Sequence, residues 1–323
     1  MAAPVMQALV RTMRLEARDV ISLELVPAPG QVLTAFEPGA HIEVHLPGLV
    51  RAYSLLNAWV PDAPRYVVAV LKDAKSRGGS RYIHEQLRVG QTVTISQPRN
   101  NFKLDESKPA DAPTVLLAGG IGVTPLLGMM RALSSQGQRV QMVYCARTRQ
   151  SAAYLDELQS LCNARVSLHT HFDDEQGAPD LSKLLAGLPS DARLYACGPA
   201  PMLDAFVQTC ADLGYTHAHI ERFAAAPRVE DAAPVEGYAV RLQKSGAVVQ
   251  VPPGTSILHA LIAAGHHPDH SCGEGVCGSC ETRVISGDVE HRDSILSAAE
   301  QAANKSMMIC VSRCRSGELV LDL

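Results

Sequence analysis

Aromatic residues are scarce: Phe, Trp and Tyr make up 4% of the 323 residues, with a single Trp. That argues against a stacking platform for successive bases. Charge of either sign is also short. Twenty-nine Lys and Arg face 33 Asp and Glu, the net charge is −4, and no basic block or basic-aromatic interleaving occurs. A general nucleic-acid binder is therefore not expected. The first residues lack the charged start, apolar core and small-residue cleavage site of a secretory signal. The nine cysteines form no disulfide framework, since Cys145, Cys162, Cys197, Cys210 and Cys314 are scattered. A reducing, cytoplasmic location is expected. One uncharged run, residues 112–130, is long enough to raise the membrane question. Gly119, Gly120, Gly122, Pro125 and Gly128 break it into a strand, a turn and a helix start, so no membrane span is expected. Apolar residues at 46% with 19% charged are ordinary for globular chains, and the length implies about two or three domains.

What is present is concentrated. Residues 271–280 read Ser-Cys-Gly-Glu-Gly-Val-Cys-Gly-Ser-Cys, and Cys310 lies further on. Cys272, Cys277 and Cys280 are spaced C-x4-C-x2-C, the ligand spacing of a plant-type 2Fe–2S cluster held by four thiolates. Gly273, Gly275 and Gly278 have no Cβ, so the loop is free to take positive φ and turn backbone N–H groups toward sulfur. A structural zinc site competes with this reading. Zinc knuckles favour paired C-x2-C units with His or Cys partners, and one such pair exists here. A Rieske centre needs two histidine ligands, whereas His270 stands alone beside four cysteines. Cys314 is the one substitute for Cys310 as fourth ligand.

From Met6 to about Leu104 the chain is strand-like. His41–Leu46 alternates apolar and polar, Tyr66–Leu71 is continuously apolar, and Val20–Val26 and Thr92–Ile95 add further short strands. An antiparallel β-barrel is predicted over residues 1–106. Two of its segments carry chemistry. Arg51-Ala52-Tyr53-Ser54 sets a guanidinium, a phenol and a hydroxyl on one extended stretch, with Arg51 and Tyr53 sharing a face. Arg77-Gly78-Gly79-Ser80 precedes a helix predicted over 81–88, where a Gly-Gly-Ser turn either offers bare N–H groups to a phosphate or is a plain capped turn.

Strands and helices then alternate. Thr114–Ala118 reads as a buried parallel strand, followed by Gly119-Gly120-Ile121-Gly122-Val123-Thr124-Pro125 and a helix to about Ser134. Strands at 140–145, 166–170 and 193–197 and helices at 152–162 and 180–186 continue the pattern. The last of these strands enters Cys197-Gly198-Pro199, and a terminal strand at 219–223 burying Ile220 and Phe223 is one reading of the domain's end. A doubly wound α/β domain over 107–226 is predicted, with its ligand at the carboxyl ends of the strands. The Rossmann fingerprint fails: Pro125 stands where its third glycine belongs, and no acid ends the 140–145 strand to take a ribose. Arg147 and Arg149 stand there instead. Residues 227–236, inside a Pro- and Ala-rich stretch, read as a linker. A hairpin at 238–251, a helix over 256–264 capped by Thr255, the cysteine loop and a strand at 307–310 complete an α+β domain over 237–323.

In this order the motifs resemble the phthalate dioxygenase reductase family, a branch of the ferredoxin–NADP reductase superfamily, along nearly the whole chain. The resemblance implies a flavin held by Arg51, Tyr53 and Ser54, with Lys72 a weaker candidate, and its phosphate held by Gly78, Gly79 and Ser80. It makes that flavin FMN. It implies a nicotinamide dinucleotide gripped by two loops, Gly119, Gly120, Gly122 and Thr124 from one and Cys197, Gly198 and Pro199 from the other. Arg147 would reach its pyrophosphate or ribose. Thr124, Cys197, Glu221 and Phe223 would surround the hydride-transfer site. Paired arginines point to NADPH, but the family's arginine-bearing loop accompanies NADH, so NADH is expected. Cys272, Cys277, Cys280 and Cys310 would hold the cluster in a β-grasp ferredoxin fold.

The expected function is the reductase component of a multicomponent oxygenase. NADH delivers hydride and a 2Fe–2S cluster accepts one electron at a time, so a flavin must stand between them. Hydride to flavin N5, single electrons to the cluster, then transfer to a terminal Rieske-type oxygenase is the expected sequence. A cluster near about −400 mV suits a low-potential donor. A haem-thiolate monooxygenase is an alternative acceptor, and a non-catalytic metal-binding or electron-carrier protein is an alternative of another class.

Overall fold

Strands built from β-branched runs dominate the start of the chain, and a computed structural model describes residues 5–74, 76–105, 112–224 and 237–323. The linker predicted at 227–236 and the boundary at 106/107 fall outside the described residues. Two compact units are present, one of which is Val5–Glu221 and the other of which includes Arg222–Leu323.

In the first unit, β1 (Val5–Ala17), β2 (Val20–Pro27), β3 (His41–Leu46), β4 (Leu49–Ser54), β5 (Tyr66–Leu71) and β6 (Thr92–Ser96) form a sheet in the order β4-β3-β6-β1-β2-β5. Every pairing is antiparallel, and Leu56 N donates to Val67 O at 3.1 Å, joining the two edges. The alternate residues that face inward, among them Val10, Leu23, Leu25, Ile42, Val44, Tyr66, Val68 and Ile95, form a single core. Helix α1 (Gly79–Glu85) starts two residues before its predicted place and adds Ile83 to that core.

The second sheet of this unit is wholly parallel, as expected from the β/α alternation. It comprises β7 (Thr114–Gly119), β8 (Val140–Ala146), β9 (Val166–Phe172), β10 (Arg193–Cys197) and β11 (Ala218–Glu221), in the order β11-β10-β7-β8-β9. Chain order reverses direction at β7, and the carboxyl end of such a strand opens a crevice for ligands. The helices are α2 (Val123–Ser135), α3 (Leu155–Ser160), α4 (Asp173–Gln176), α5 (Leu181–Leu185) and α6 (Ala200–Asp212). The helix predicted over 152–162 is shorter than expected. Tyr154 takes φ 64, a left-handed conformation that cannot lie inside a helix, so α3 begins at Leu155. Helix α4 carries no apolar stripe to announce it.

In the second unit, β12 (Tyr238–Leu242) and β13 (Val248–Val251) form the predicted hairpin, followed by α7 (Ile257–Ala263), β14 (Glu281–Ser286), β15 (Val289–Glu290), α8 (Ala298–Ala303), β16 (Ser306–Met308), β17 (Arg313–Cys314) and β18 (Glu318–Leu321). A mixed sheet runs β13-β12-β18-β14-β16, with β12 and β18 parallel. The buried side chains of α7 face the core of that sheet. The cap of α7 is Ser256 rather than Thr255, since Ser256 Oγ accepts the His259 N–H at 3.2 Å. No helix among the described residues is long and apolar enough to cross a membrane.

Candidate flavin, nucleotide and cluster sites

Strand β4 carries Arg51, Tyr53 and Ser54 along the sheet edge, and the glycine turn before α1 lies against it. A Cβ on Gly79 would stand 2.8 Å from Arg51 Cγ, so the arginine stem passes over the turn only because that residue is glycine. The two stretches flagged in the sequence therefore meet. Hydrogen-bond donors converge at the turn. Gly78 N, Arg81 N and the Ser80 hydroxyl all donate to Ser76 Oγ, at 3.2, 3.4 and 2.9 Å. A serine before two glycines is ordinary loop composition, and sequence reasoning did not single out Ser76. Burial pushes the Tyr53 phenol up to about 12, with Arg51 pulling the other way, so Tyr53 is a neutral hydrogen-bonding group. Lys72 turns elsewhere: its Nζ is 3.0 Å from Glu85 Oε1. A glycine-lined turn with converging donors, beside a guanidinium and a phenol, fits a flavin phosphate and its ring.

Ser54 points the other way, as alternation along a strand requires. It is buried, and its hydroxyl donates to Glu221 Oε2 at 3.5 Å. Parallel pairing sets Glu221 beside Cys197. Desolvation pushes the Glu221 carboxyl up to about 8, with the Ser54 hydroxyl pulling it down. The Cys197 thiol is fully buried and is pushed well above its usual range by that burial and then by Glu221. The pair is a protonated acid beside a neutral thiol at neutral pH. Such a thiol is a packing and contact surface, not a nucleophile.

The two glycine loops close on each other because β7 and β10 are neighbours, with Ala118 opposite Cys197. A Cβ on Gly122 would overlap the Cys197 carbonyl and lie 2.7 Å from Gly198 N. A Cβ on Gly119 would lie 2.7 Å from both Pro199 Cδ and Met202 Cε. Gly122 precedes α2 without any side-chain cap; the Val123 N–H turns back to Gly120 O, and the positive end of the helix faces the strand ends. Thr124 is buried and its hydroxyl donates to Ile121 O at 3.0 Å, so it braces the loop. Phe223 lies beyond the end of β11 and is 44% exposed.

One feature of the crevice was not legible in the sequence. Ala146 pairs with Phe172 across β8 and β9, so Arg147 and Asp173 leave the sheet side by side, and Asp174 N donates to Arg147 O at 3.1 Å. The Arg149 guanidinium lies 4.5 Å from the Phe172 ring centroid, with Nε 3.9 Å from Glu175 Oε1. Acids missing from the end of β8 are supplied by its neighbour.

In the second unit the cysteine loop takes the expected backbone: φ is +69, +74 and +74 at Gly273, Gly275 and Gly278. Its thiols act on one another as two neighbouring pairs, Cys272 with Cys277 and Cys280 with Cys310. The Cys277 thiol, then the backbone N–H groups of Val276, Cys277 and Gly275, pull Cys272 down to about 6. Cys310 is likewise lowered, by Cys280 first and by the Gly275 N–H among others. Among the described residues no three His, Cys, Asp or Glu gather around a single ion. A binuclear cluster takes two thiolates per iron, so two thiol pairs under converging N–H groups fit that group. Strand β16 ends at Met308, leaving Cys310 in the following turn. Cys314 lies in β17 opposite Val289, its sulfur 3.4 Å from Ser316 Oγ, and takes no part in either pair. His270 Nδ1 is 3.0 Å from Pro268 O.

Residues 240–315 match the 2Fe-2S iron-sulfur cluster binding domain family, and residues 98–220 match the dimethylamine monooxygenase subunit DmmA-like N-terminal domain family. The chain is 46% identical over 317 residues to a putative toluene-4-sulfonate monooxygenase system reductase subunit of Comamonas testosteroni, spanning 97% of this chain and 98% of that one. The solved structure of phthalate dioxygenase reductase superposes with a TM-score of 0.69 at 34% identity, covering 99% of this chain and 98% of that one. The chain belongs to the phthalate dioxygenase reductase family. As a member it is an oxidoreductase that serves oxygenase systems, with a 2Fe–2S domain and a flavin- and nicotinamide-nucleotide-binding fold. An intact type IV self-sufficient cytochrome P450 monooxygenase contains the same architecture: the TM-score is 0.89 at 35% identity, over 99% of this chain and 41% of that longer one.

Proposed function

We propose that this phthalate dioxygenase reductase family member passes electrons from NADH through FMN and its 2Fe–2S cluster to a separate terminal oxygenase of the Rieske type. The observation that carries the reading is the meeting of three prepared surfaces in one unit: the Arg51–Gly79 turn, the Ser54–Glu221–Cys197 patch and the interlocked glycine loops. Bound flavin supplies the conversion between a two-electron hydride donor and a one-electron cluster.

The chain's own part is binding, orientation and electrostatics. Gly78, Gly79 and Ser80 would hold the flavin phosphate, with donors of this turn that now meet the Ser76 hydroxyl turning to it, while Arg51 and Tyr53 flank the rest of the cofactor. Ser54, Glu221 and Cys197 form an uncharged wall, which excludes water without a competing nucleophile. Gly119, Gly120 and Gly122, with Gly198 and Pro199 opposite, let a dinucleotide backbone approach the α2 N-terminus. Thr124 holds that loop in shape. Asp173 favours NADH: a carboxylate beside Arg147 accepts from ribose hydroxyls and repels a 2′-phosphate. The four paired cysteines would hold the cluster, and Phe223 remains a candidate cover for the flavin ring.

A haem-thiolate acceptor is the second reading, favoured by the full-length likeness to a P450-fused reductase segment. Purified protein titrated anaerobically with NADH is the test. Flavin and cluster absorption bands that bleach together support the proposal, with FMN identified in the heat-released supernatant. A colourless protein containing zinc would sink it. Reconstitution with Rieske and haem-thiolate oxygenases then separates the two acceptors.

A further inference from the structure

The segment between β15 and α8 crosses both halves of the cysteine set, and one buried carboxylate organises it. The Asp293 side chain is fully buried. Its Oδ2 accepts the backbone N–H groups of Ile295 and Leu296, at 3.2 and 2.8 Å. Its Oδ1 accepts the Ser312 hydroxyl at 3.5 Å and lies 3.6 Å from His291 Nδ1. Ser312 is itself fully buried, two residues beyond Cys310, and accepts the Arg292 N–H at 3.2 Å. The carboxylate therefore ties this segment to the turn that bears the fourth cysteine.

The other end of the tie is the cysteine loop. Ser294, next to Asp293, donates its N–H to Gly275 O at 3.0 Å. Gly275 is pressed between the two: a Cβ there would lie 2.6 Å from Val311 Cγ2 and 3.2 Å from Asp293 Cα. The residue just before it, Glu274, donates its backbone N–H to Cys272 Sγ at 3.3 Å. Peptide N–H groups aimed at ligand sulfur are among the determinants of an iron–sulfur potential, as is nearby charge.

We propose that Asp293 is the positioning residue that sets the reduction potential of the cluster, by fixing the Glu274–Gly275 stretch of the cysteine loop, whose N–H meets Cys272, and by holding a buried carboxyl group against that loop. The inference rests on the cluster assignment made above. Both effects work on the same quantity. A fixed carboxylate opposes arrival of an electron, and a clamped Glu274–Gly275 stretch fixes how far the Glu274 N–H compensates charge on Cys272.

The test is a spectroelectrochemical and EPR titration of the full-length holoenzyme. Asp293→Asn removes the charge and turns one acceptor into a donor. It should shift the reduction equilibrium about tenfold toward the reduced cluster, which is about 59 mV for one electron, and alter the EPR line shape. Ser312→Ala keeps the carboxylate and both amide contacts. It should change the line shape and shift the potential less. In both variants NADH should still bleach the flavin at the wild-type rate, which separates cluster tuning from general unfolding. An Asp293→Asn protein with full cluster, unchanged potential and unchanged EPR would overturn the proposal. If Asp293→Asn assembles no cluster, Ser312→Ala decides: altered EPR supports the tie, and wild-type EPR with wild-type potential removes it. A wild-type protein without any cluster would instead overturn the functional reading on which this depends.

Discussion

Ser54 Oγ stands 3.5 Å from Glu221 Oε2, joining the last residue of barrel strand β4 to the last residue of parallel strand β11. The two sheets are linked there by one hydroxyl and one acid. The acid is raised from 4.5 to about 8 by desolvation.

That shift has a sign. Below about pH 4.5 both folded and unfolded chains hold the Glu221 proton. Between there and about pH 8 the unfolded chain releases it and the folded chain keeps it, so the contribution to stability falls as pH rises, and above about 8 the loss is complete. Glu221→Gln should therefore melt like wild type below about pH 4.5 and increasingly above it from there to about pH 8. Thermal melts of both proteins across this range are the check. A melting difference independent of pH would show that Glu221 is not the group responsible.

The fourth cluster ligand is tested by two serine variants. Cys310 is paired with Cys280, whereas Cys314 sits across from Val289 with its sulfur toward Ser316. Cys310→Ser should abolish the cluster absorption and EPR signal while NADH still reduces the flavin. Cys314→Ser should leave all three intact. The opposite pattern would move the ligand to Cys314.

Much of this was legible because its chemistry is local in sequence. The C-x4-C-x2-C spacing and the three glycines within it lie in ten residues, and the loop folds as those residues require. Strands His41–Leu46 and Tyr66–Leu71 appear at their expected bounds because alternation and continuous apolarity are direct records of which faces are buried. What escaped depends on contacts between distant segments. Asp173 matters only through the register of β9 against β8, and Ser76 only through the turn that brings its hydroxyl under three donors. Asp293 matters only because Ser312, 19 residues away, folds back onto it. The shortened α3 has a different cause: nothing local marks Tyr154 for a left-handed backbone.

The register of Asp173 beside Arg147 yields a cofactor test. Removing the carboxylate leaves Arg147 and Arg149 to meet a 2′-phosphate, whose charge they suit. Asp173→Ser should raise the ratio of kcat/KM for NADPH over NADH by at least about tenfold, roughly 1.4 kcal/mol of discrimination. Steady-state flavin reduction with each nucleotide measures it. An unchanged ratio would mean the ribose is read elsewhere.

Gly122 supplies the most direct test of the interlocked loops. Its φ of −61 is ordinary, so alanine brings no backbone strain of its own. The obstacle is space alone: the added Cβ would overlap the Cys197 carbonyl and sit 2.7 Å from Gly198 N. Both are backbone atoms at the end of a central strand, and neither has a rotamer to yield. Gly122→Ala should therefore cost about 1–3 kcal/mol of stability, as overpacked sites do, and push the two loops apart. Because the same loops are proposed to hold the dinucleotide, KM for NADH should rise at least about tenfold while flavin and cluster contents stay at wild-type levels. If stability falls and KM does not change, the loops are a packing joint and the dinucleotide binds without them.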